Sequence, residues 1–302
     1  MANTSNDHPT GKHRVESGFA AGPGSNQRWS AELSGRSHVG RVRENNEDHF
    51  LVARLDRTWQ TLGSNLPVDA VPAVSTETVY GMLVADGMGG RAAGEVASRV
   101  AISTLVDLVL QTPDIIMRLD PLFTEEALQR FDERFQQIKK VLTEKVLRDP
   151  ELAGMGTTMT LAANAGADLL IAHVGDSRAY LFRKKALRRL TRDQTMAQFL
   201  ADSGVITAGE VDDHPLRNVL TNVLGTSGGP MPVDLSGHRL EDGDMVLLCS
   251  DGLTEMVEET TIARVLGDPL SSPAAACDQL INLALDAGGK DNVTVALGRY
   301  RC

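Results

Sequence analysis

Five short acidic turns, spread over most of the chain, constrain its fold more than any other feature. Their sequences are NNEDHF around Asp48, VADGMGG around Asp86, VGDSRAY around Asp176, LLCSDGL around Asp251 and GGKDNVTV around Asp291. In four of them an apolar, strand-like run stops at Gly-Asp or Asp-Gly, or an aspartate opens the next such run. A carboxylate at a strand end is held on a rigid element and reaches the edge of a sheet. The turns therefore predict strand ends that converge on one point.

Converging carboxylates predict a metal site, because they repel one another strongly in a low-dielectric cleft unless cations lie between them. Oxygen ligands of this kind suit Mg²⁺ or Mn²⁺, which also bind carbonyl groups and water. A single Asp-Gly turn, such as Asp86-Gly87, is more often ordinary punctuation between two elements. The joint occurrence of these turns at strand ends favours the ligand interpretation and predicts a dinuclear metal hydrolase.

Composition excludes several classes of function. With 302 residues, 42% of them hydrophobic, the chain can form one large domain or two small ones. A formal net charge of −10 argues against a nucleic-acid partner. No apolar run approaches the ~20 residues of a membrane span, and the N-terminus lacks the apolar core of a secretory signal. Cys249, Cys277 and Cys302 form no CxxC pair. We therefore expect a protein of the reducing cytoplasm without a membrane partner.

The chain divides into a tail and a domain. Residues 1–30 are rich in Gly, Ser, Asn and Pro and predict a disordered tail, followed by a domain at 31–302. Within the domain, 39–53 and 78–85 are predicted strands. The apolar-poor insertion at 56–77 between them is either a long loop or a hairpin arm, and its composition indicates no function.

Two amphipathic helices are predicted next, at 90–111 and after Thr124, a good N-cap residue. Their apolar residues recur at steps of three and four, so we expect the helices to pack as a pair. Short strands at 157–163, 169–174 and 179–182 follow, joined by tight turns. Such spacing suits antiparallel pairing, since parallel strands need a longer crossover.

The last third of the chain mixes polar and apolar blocks. Residues 191–224 are polar with short helical pieces, and 245–250 form a predicted core strand. Ser272-Pro273 starts a last helix that ends near 286, and 293–300 close the chain as a strand. Antiparallel strands with helices in separate blocks predict an α+β fold, with sheets packed together and helices outside.

Six motifs occur in a single order: VRENNED, ADGMGGRAAGE, GMGTTMT, HVGDSRAYL, CSDGL and GGKDNVTV. In these motifs the chain resembles the metal-dependent PPM-type (PP2C-like) serine/threonine protein phosphatases in their bacterial form. The resemblance runs from about residue 35 to residue 300. It implies an αββα sandwich of two antiparallel sheets flanked by helices, with metal ions in the cleft between the sheets. It also implies that residues 191–224 are the family's flap, a segment beside the active site that is linked to substrate choice.

The resemblance implies metal-binding roles for five residues. Asp86 would bridge two Mn²⁺ or Mg²⁺ ions, with the Gly87 carbonyl on one of them. Asp251 and Asp291 would complete the coordination of the other ion. Asp176 would hold a third, weaker ion, with Asp251 as a candidate shared ligand.

Further residues would act on water and phosphate. Glu47 and Asp48 match positions that lie close to metal-bound water. Arg43 matches the family's phosphate-binding arginine, whose planar fork binds two phosphoryl oxygens at once; the alternative is an ion pair with Glu44. Metal-activated water would then attack phosphorus in line, with charge stabilised by the ions and Arg43. The catalytic set is Arg43, Asp86, Asp251 and Asp291.

The chain departs from the family pattern in two places. Met88 stands where eukaryotic members carry a histidine that is a proposed general acid, so the leaving-group acid is unassigned. His49 and His173 are predicted to be structural, and Arg178 to be a structural partner of nearby carboxylates. At 193–195 the chain has Asp-Gln-Thr, where relatives often have Asp-His-Ser or Asp-His-Thr, which leaves the substrate contacts of the flap open.

We expect a monomeric cytoplasmic enzyme that hydrolyses phosphoserine or phosphothreonine in proteins and reverses a bacterial serine/threonine kinase. Its partners would be phosphorylated proteins, including such a kinase or its targets. One alternative is a pseudophosphatase that acts as a regulatory binding module, although the presence of every metal aspartate argues against it. Another is a hydrolase of small phosphoesters or phosphotyrosine. The residues do not distinguish Mn²⁺ from Mg²⁺, or name the substrate.

Overall fold

The ends of the strands lie at or close to the acidic turns, as the sequence predicts. The structure is a computed structural model that describes residues 14–15, 29–67, 70–89, 93–111, 125–225 and 231–302. Almost all of the predicted tail, and the Thr124 cap, lie outside these residues. The strands are β1 (Arg14–Val15), β2 (Ser30–His38), β3 (Asp48–Gln60), β4 (Val74–Met88), β5 (Gly156–Thr157), β6 (Met159–Ala165), β7 (Asp168–Val174), β8 (Arg178–Arg183), β9 (Ala186–Arg189), β10 (Leu224–Gly225), β11 (Asp234–Arg239), β12 (Met245–Cys249) and β13 (Val293–Arg301).

The helices form blocks between the strands, as the sequence predicts. Ser272 caps the last helix as expected, since its side chain accepts a hydrogen bond from the Ala275 N–H at 3.2 Å. The helices are α1 (Ala93–Gln111), α2 (Glu125–Arg148), α3 (Met196–Asp202), α4 (Asp251–Thr254), α5 (Glu259–Leu266) and α6 (Pro273–Asp286), with 3₁₀ turns at Pro150–Leu152 and Ala208–Glu210.

Two sheets are formed by the described residues. Sheet I has the order β1-β11-β7-β6-β4-β5-β10, with β3 also paired to β4. Sheet II has the order β2-β13-β12-β8-β9 and is antiparallel throughout. In sheet I the short β1 pairs with β11 in parallel, and the other pairs are antiparallel. The predicted α+β class and the two packed antiparallel sheets are confirmed.

The insertion at 56–77 is built on a hairpin arm. Strands β3 and β4 pair continuously from Asp48↔Asp86 to Gln60↔Val74, whereas β6 pairs with β4 only from Val79 to Val84. The outer part of the arm is therefore a two-stranded ribbon that extends beyond the rest of sheet I. Of the two interpretations of this segment, the arm is the one that the structure forms.

Two expectations about strands are wrong. The first predicted strand starts at Asp48 instead of residue 39, because Gly40 has a φ of +84° and the carbonyl groups of Val39 and Asn45 accept bonds from the Asn292 side chain. The strands β7 and β8 do not pair with each other: β7 lies in sheet I and β8 in sheet II. The turn at 175–177 thus crosses from one sheet to the other instead of closing a hairpin.

Three apolar layers hold the sandwich together. Between the sheets lie side chains of both, among them Met82, Ile171 and Leu248. A second layer joins sheet I to the predicted helix pair α1 and α2, and a third joins sheet II to α4, α5 and α6. Alternate residues of each strand face opposite layers, as the period of a strand requires. This packing brings the ends of β3, β4, β12 and β13 to one side of the molecule.

Candidate active site

The predicted aspartates converge on the cleft between the sheets. Asp48 and Asp86 lie opposite each other at the paired ends of β3 and β4. Asp251 is the first residue of α4, directly after β12 and its N-cap Ser250. Asp291 precedes β13 by two residues, and Asp176 lies in the turn that crosses between the sheets. Two sheets therefore contribute one group of carboxylates.

Tight backbone contacts fix the floor of this cleft, which consists of the turns that carry Asp48, Asp86, Asp251 and Asp291. The Gly87 N–H donates to the Glu47 carbonyl oxygen at 3.2 Å. A Cβ atom on Gly87 would clash with the backbone of Gly94 at the start of α1, and one on Gly252 would clash with the Asn292 carbonyl. Only glycine permits such close approach of two backbones. The turns that carry the aspartates are thus fixed by packing of the main chain.

Hydroxyl groups secure the backbone of Asp86. Its N–H donates to Thr158 Oγ1 at 3.0 Å, and its carbonyl accepts from the Thr158 N–H and from Thr157 Oγ1, each at 2.8 Å. Thr158 Oγ1 also lies 2.8 Å from Ser177 Oγ, next to Asp176. The threonines of the GMGTTMT motif therefore connect the turns of Asp86 and Asp176.

Asp48 is buried and only half satisfied. Its Oδ2 accepts from Ser250 Oγ at 2.7 Å, while its Oδ1 has no hydrogen-bond partner among the described residues. Burial raises the pKa of Asp48 to about 6, partly offset by the hydroxyl groups of Ser250 and Thr294. An orphaned carboxylate oxygen in a buried position is costly unless a cation or water completes it.

The other aspartates raise one another's pKa. Burial is the largest cause of the raised pKa of Asp86, followed by the negative charges of Asp48 and Asp251. Burial likewise leads for Asp251, followed by Asp176 and then Glu255. The pKa of Asp176 is raised to about 7 by burial and by Asp193. Mutual repulsion of this kind disappears when divalent cations are bound between the carboxylates.

Arg43 is bound to Asp291 instead of Glu44. Its Nη2 lies 2.6 Å from Asp291 Oδ2, and this hydrogen bond is the main cause of the raised pKa of the guanidinium. The two side chains are 56% and 31% exposed, so the pair is worth little and can exchange for another ligand. The structure thus brings the predicted phosphate-binding arginine to the predicted metal site.

Asn292 is a site residue that the sequence reasoning missed. Its Oδ1 accepts from the Glu47 N–H at 2.7 Å, and its Nδ2 donates to the carbonyls of Val39 and Asn45 at 2.9 Å. It therefore holds the loop that carries Arg43 against Asp291. Ser250 and Thr158 were missed in the same way. The signal was position: Asn292 and Ser250 stand directly beside an aspartate of an acidic turn, and Thr158 lies in the GMGTTMT motif of the family.

The two histidines and Arg178 have structural contacts, as predicted. His49 Nδ1 lies 2.9 Å from Ser98 Oγ, which also bonds the Glu47 carbonyl. His173 is buried, with Nδ1 at 2.9 Å from Thr160 Oγ1. Arg178 forms an ion pair with Asp193 at 2.7 Å.

Burial is the main cause of the raised pKa of Glu47.

An acidic cavity of about 590 Å³ opens beside Asp176 and Asp251. Eight carboxylate side chains and two arginines, Arg178 and Arg217, are among its lining residues. Both arginines already pair with carboxylates of the lining, at Asp193 and Glu255. Part of the wall comes from residues 191–224. Among the described residues, no three His, Cys, Asp or Glu side chains lie in a ready-made metal-binding group.

Comparison with known proteins identifies the family of this chain. The family model "Protein phosphatase 2C" matches residues 64–285. The chain is 38% identical to the serine/threonine protein phosphatase PstP of Mycobacterium tuberculosis, over 75% of this chain and 42% of PstP. It is 35% identical to the serine/threonine phosphatase stp of Listeria welshimeri, over 87% of this chain and 93% of that protein. The chain belongs to the protein phosphatase 2C family.

The fold agrees with solved structures of protein phosphatase 2C enzymes. The catalytic domain of PstP in complex with two manganese ions has a TM-score of 0.70 and 32% identity, covering 91% of this chain and all of that chain. The family resemblance and the αββα architecture predicted from the motifs are confirmed. The chain spans about 42% of the length of PstP itself.

The residues of this protein phosphatase 2C site fit divalent cations. The candidate donors are carboxylate oxygens, and the neighbouring Asp48 Oδ1 is buried without a hydrogen-bond partner among the described residues. Burial and mutual repulsion raise the pKa values of Asp86 and Asp251, which is the electrostatic condition that cations relieve. Arg43 holds one oxygen of Asp291, and the Asn292 N–H donates to the other at 2.8 Å. Full coordination by Asp291 therefore requires exchange of the exposed Arg43 pair.

No helix within the described ranges is long and apolar enough to cross a membrane.

Proposed function

We propose that this chain is a metal-dependent phosphatase that removes phosphate from phosphoserine and phosphothreonine in proteins. The observation that carries this proposal is the imbalance of charge: the site aspartates raise one another's pKa, and the cavity that adjoins them at Asp176 and Asp251 is lined by eight carboxylates and two already paired arginines. Such a groove repels a phosphate dianion unless cations neutralise it. The names of the relatives, and the two manganese ions in the PstP structure, support the enzyme over the pseudophosphatase alternative.

Five residues would hold the ions: Asp86, the Gly87 carbonyl, Asp251, Asp291 and, more weakly, Asp176. When bound, Mn²⁺ or Mg²⁺ would supply positive charge for the phosphoryl oxygens and activate water for direct attack on phosphorus.

The chain's own residues complete the site. Arg43, released from its exposed pair with Asp291, binds phosphoryl oxygens through its planar fork. Glu47 and Asp48 lie at the floor, where Ser250 orients Asp48 and Asn292 fixes the backbone of Glu47. Their carboxylates would accept hydrogen bonds from water beside bound ions. Catalysis then depends on positioning and charge, without a covalent phosphoenzyme.

The substrates are products of protein serine/threonine kinases, since that reaction class makes phosphoserine and phosphothreonine. The kinase itself or its targets are the partners we expect. Three free cysteines, two of them buried, agree with a reducing cytoplasm. We propose a monomer, which size-exclusion chromatography with light scattering at several concentrations tests directly.

Hydrolysis of p-nitrophenyl phosphate, with and without Mn²⁺ or Mg²⁺, tests the function. Activity should require metal, stop with EDTA, and fall about a thousandfold or more in Asp86→Ala and Asp251→Ala, because each removes a metal ligand. Asp56→Ala is the matched control, since Asp56 lies on the exposed arm and pairs with Arg54. A folded protein that binds Mn²⁺ but turns over neither this ester nor any member of a phosphothreonine peptide panel would instead be a binding module.

A further inference from the structure

Gln194 stands at the point where the chain leaves sheet II for the polar excursion of residues 195–221. It replaces the histidine that the resemblance leads one to expect between Asp193 and Thr195. Hydrogen bonds of the Gln194 main chain already connect the turn at Gly175 with the end of the excursion at Thr221. The Gln194 N–H donates to the Gly175 carbonyl at 2.8 Å, and the Gln194 carbonyl accepts from the Thr221 N–H at 2.8 Å.

The Gln194 side chain repeats this connection with both ends of its amide. Oε1 accepts from the Gly175 N–H and from Asn222 Nδ2, each at 2.8 Å. Nε2 donates to Asp234 Oδ2 on β11 at 3.0 Å. One side chain therefore contacts the turn that carries Asp176, the residue that follows the excursion, and strand β11 of sheet I.

The turn at Gly175 is also restricted by its own backbone conformation and by Thr158. Gly175 has a φ of +110°, in the left-handed region, and a Cβ there would lie 2.6 Å from Thr158. Thr158 thus blocks the turn on one side while the Gln194 amide holds its N–H on the other. Because Asp176 follows directly, the direction of its carboxylate depends on how Gly175 is held.

Other contacts fix the base of the excursion without the Gln194 side chain. Asp193 pairs with Arg178 and Arg189, and His173 Nε2 contacts the Arg192 carbonyl at 3.1 Å. Thr195 caps α3 by accepting from the Gln198 N–H at 3.3 Å. Removal of the Gln194 side chain should therefore leave the fold intact and loosen only what the amide joins.

We propose that Gln194 is a positioning residue that couples the placement of Asp176 to the placement of the 195–221 excursion. A shift of the excursion at Asn222 pulls on the same amide oxygen that holds the Gly175 N–H. The inference rests on the proposed function, in which Asp176 binds a weak metal ion and the excursion forms part of the substrate groove. It identifies this half-buried glutamine as the link between them.

Hydrogen exchange of the full chain, read by mass spectrometry, tests the link. Gln194→Ala should increase exchange at 174–178 and at 195–222 together. Gln198→Ala is the matched control on the same excursion, since the Gln198 side chain donates to Asp202 within its own helix, at 2.9 Å. The proposal is overturned if exchange rises in only one of the two segments, or if the control raises both equally.

Exchange of the amide and the carboxylate between positions 194 and 234 tests whether the lost link can be restored. Gln194→Glu keeps an acceptor for Gly175 and Asn222 but places two carboxylates, at 194 and 234, against each other. Adding Asp234→Asn restores a donor and an acceptor with reversed polarity. The double variant should regain protection of both segments relative to Gln194→Glu alone. A double variant that exchanges as fast as Gln194→Glu would show that this amide is not the link.

Kinetics separates positioning from general loosening. In Gln194→Ala, KM for a phosphothreonine peptide should rise about tenfold, the effect of lost buried hydrogen bonds, and by more than KM for p-nitrophenyl phosphate. An equal change for both substrates would overturn the coupling to the excursion. If the wild type hydrolyses neither substrate, the proposed function fails, whereas the exchange measurements still decide the role of Gln194.

Discussion

The floor and the wall of the cleft are built in different ways. The floor, defined as the turns that carry Asp48, Asp86, Asp251 and Asp291, is held by groups that are almost completely buried, such as Ser250 and Thr158. The wall, residues 191–224, exposes large apolar side chains, with Phe199 58% and Val205 67% accessible. Its bonds are mostly local turns and helix caps.

This difference indicates which of the two regions tolerates substitution. The floor depends on contacts between residues more than 200 positions apart, such as Ser250 with Asp48 and Asn292 with Glu47. Loosening any of them disturbs several carboxylates at once. Segments with few buried contacts open locally at low cost and vary freely. We therefore expect metal chemistry to be fixed by the floor and substrate choice to be set by the wall.

Glycine substitution gives the largest contrast. Gly87→Ala should lower the free energy of unfolding by about 3 kcal/mol, because the new Cβ clashes with the backbone of Gly94 and with the Glu47 carbonyl. Gly209 lies on the wall, where a Cβ meets no atom of the described part of the chain within 4 Å. Gly209→Ala should be neutral, or stabilising by about 0.5 kcal/mol. Urea unfolding of both variants measures the difference, and equal effects would remove the distinction between floor and wall.

Substitution of Arg43 should have a smaller effect, and only on activity. Arg43→Ala should lower kcat/KM about tenfold or more, because a bidentate contact with phosphate is lost, and Arg43→Lys should recover only part of it. Arg41 is the matched control in the same loop, where it binds the Leu285 carbonyl and Asp286. Steady-state kinetics on p-nitrophenyl phosphate measures both. Equal losses in Arg43→Ala and Arg41→Ala would contradict a phosphate-binding role.

The smallest expected effect is on the pH dependence of stability. The folded-state pKa values of Asp48 and Asp176, about 6 and about 7, lie above the ordinary value near 3.9. Their protonation therefore stabilises the fold fully at low pH, and this contribution is lost as pH rises through 6 and 7.

In EDTA, the melting temperature should fall by a few degrees between about pH 5 and pH 8, and Mn²⁺ should suppress the fall. Asp176→Asn should fall less steeply than the wild type, since its side chain does not titrate. Scanning fluorimetry at constant ionic strength measures these slopes. A wild-type melting temperature that rises over this range would contradict the repulsion between the floor carboxylates.

Much of this architecture could be predicted from sequence because its signals are local. A Gly-Asp or Asp-Gly step that ends an apolar run marks a strand end wherever it occurs, so the turns of Asp86 and Asp251 were placed correctly. The cap at Ser272 followed from its own sequence neighbours. The combination of several such turns, in the order of a known family, identified the sandwich and the group of carboxylates.

The rest depends on partners that are distant in the chain. Nothing near Val174 indicates that the next strand joins the other sheet, because pairing is decided by which edges meet after the layers pack. The pair of Arg43 with Asp291 spans 248 positions, whereas the alternative ion pair considered from the local sequence was with Glu44. The start of β3 was misplaced because Asn292, far along the sequence, binds the loop before it.

The pairing of β2 with β13 has a consequence for synthesis of the protein. The register joins Ser30 to Arg301 and His38 to Val293, so the two ends of the domain are neighbours in sheet II. A ribosome produces residues in order, so β2 is synthesised long before the strand that pairs with it. Until β13 has left the exit tunnel, β2 lacks its only partner strand among the described residues and the floor lacks Asp291 and Asn292. A nascent chain without β13 therefore lacks part of the proposed metal site, and the order of synthesis delays assembly of this site until residues 291–301 can pair with β2.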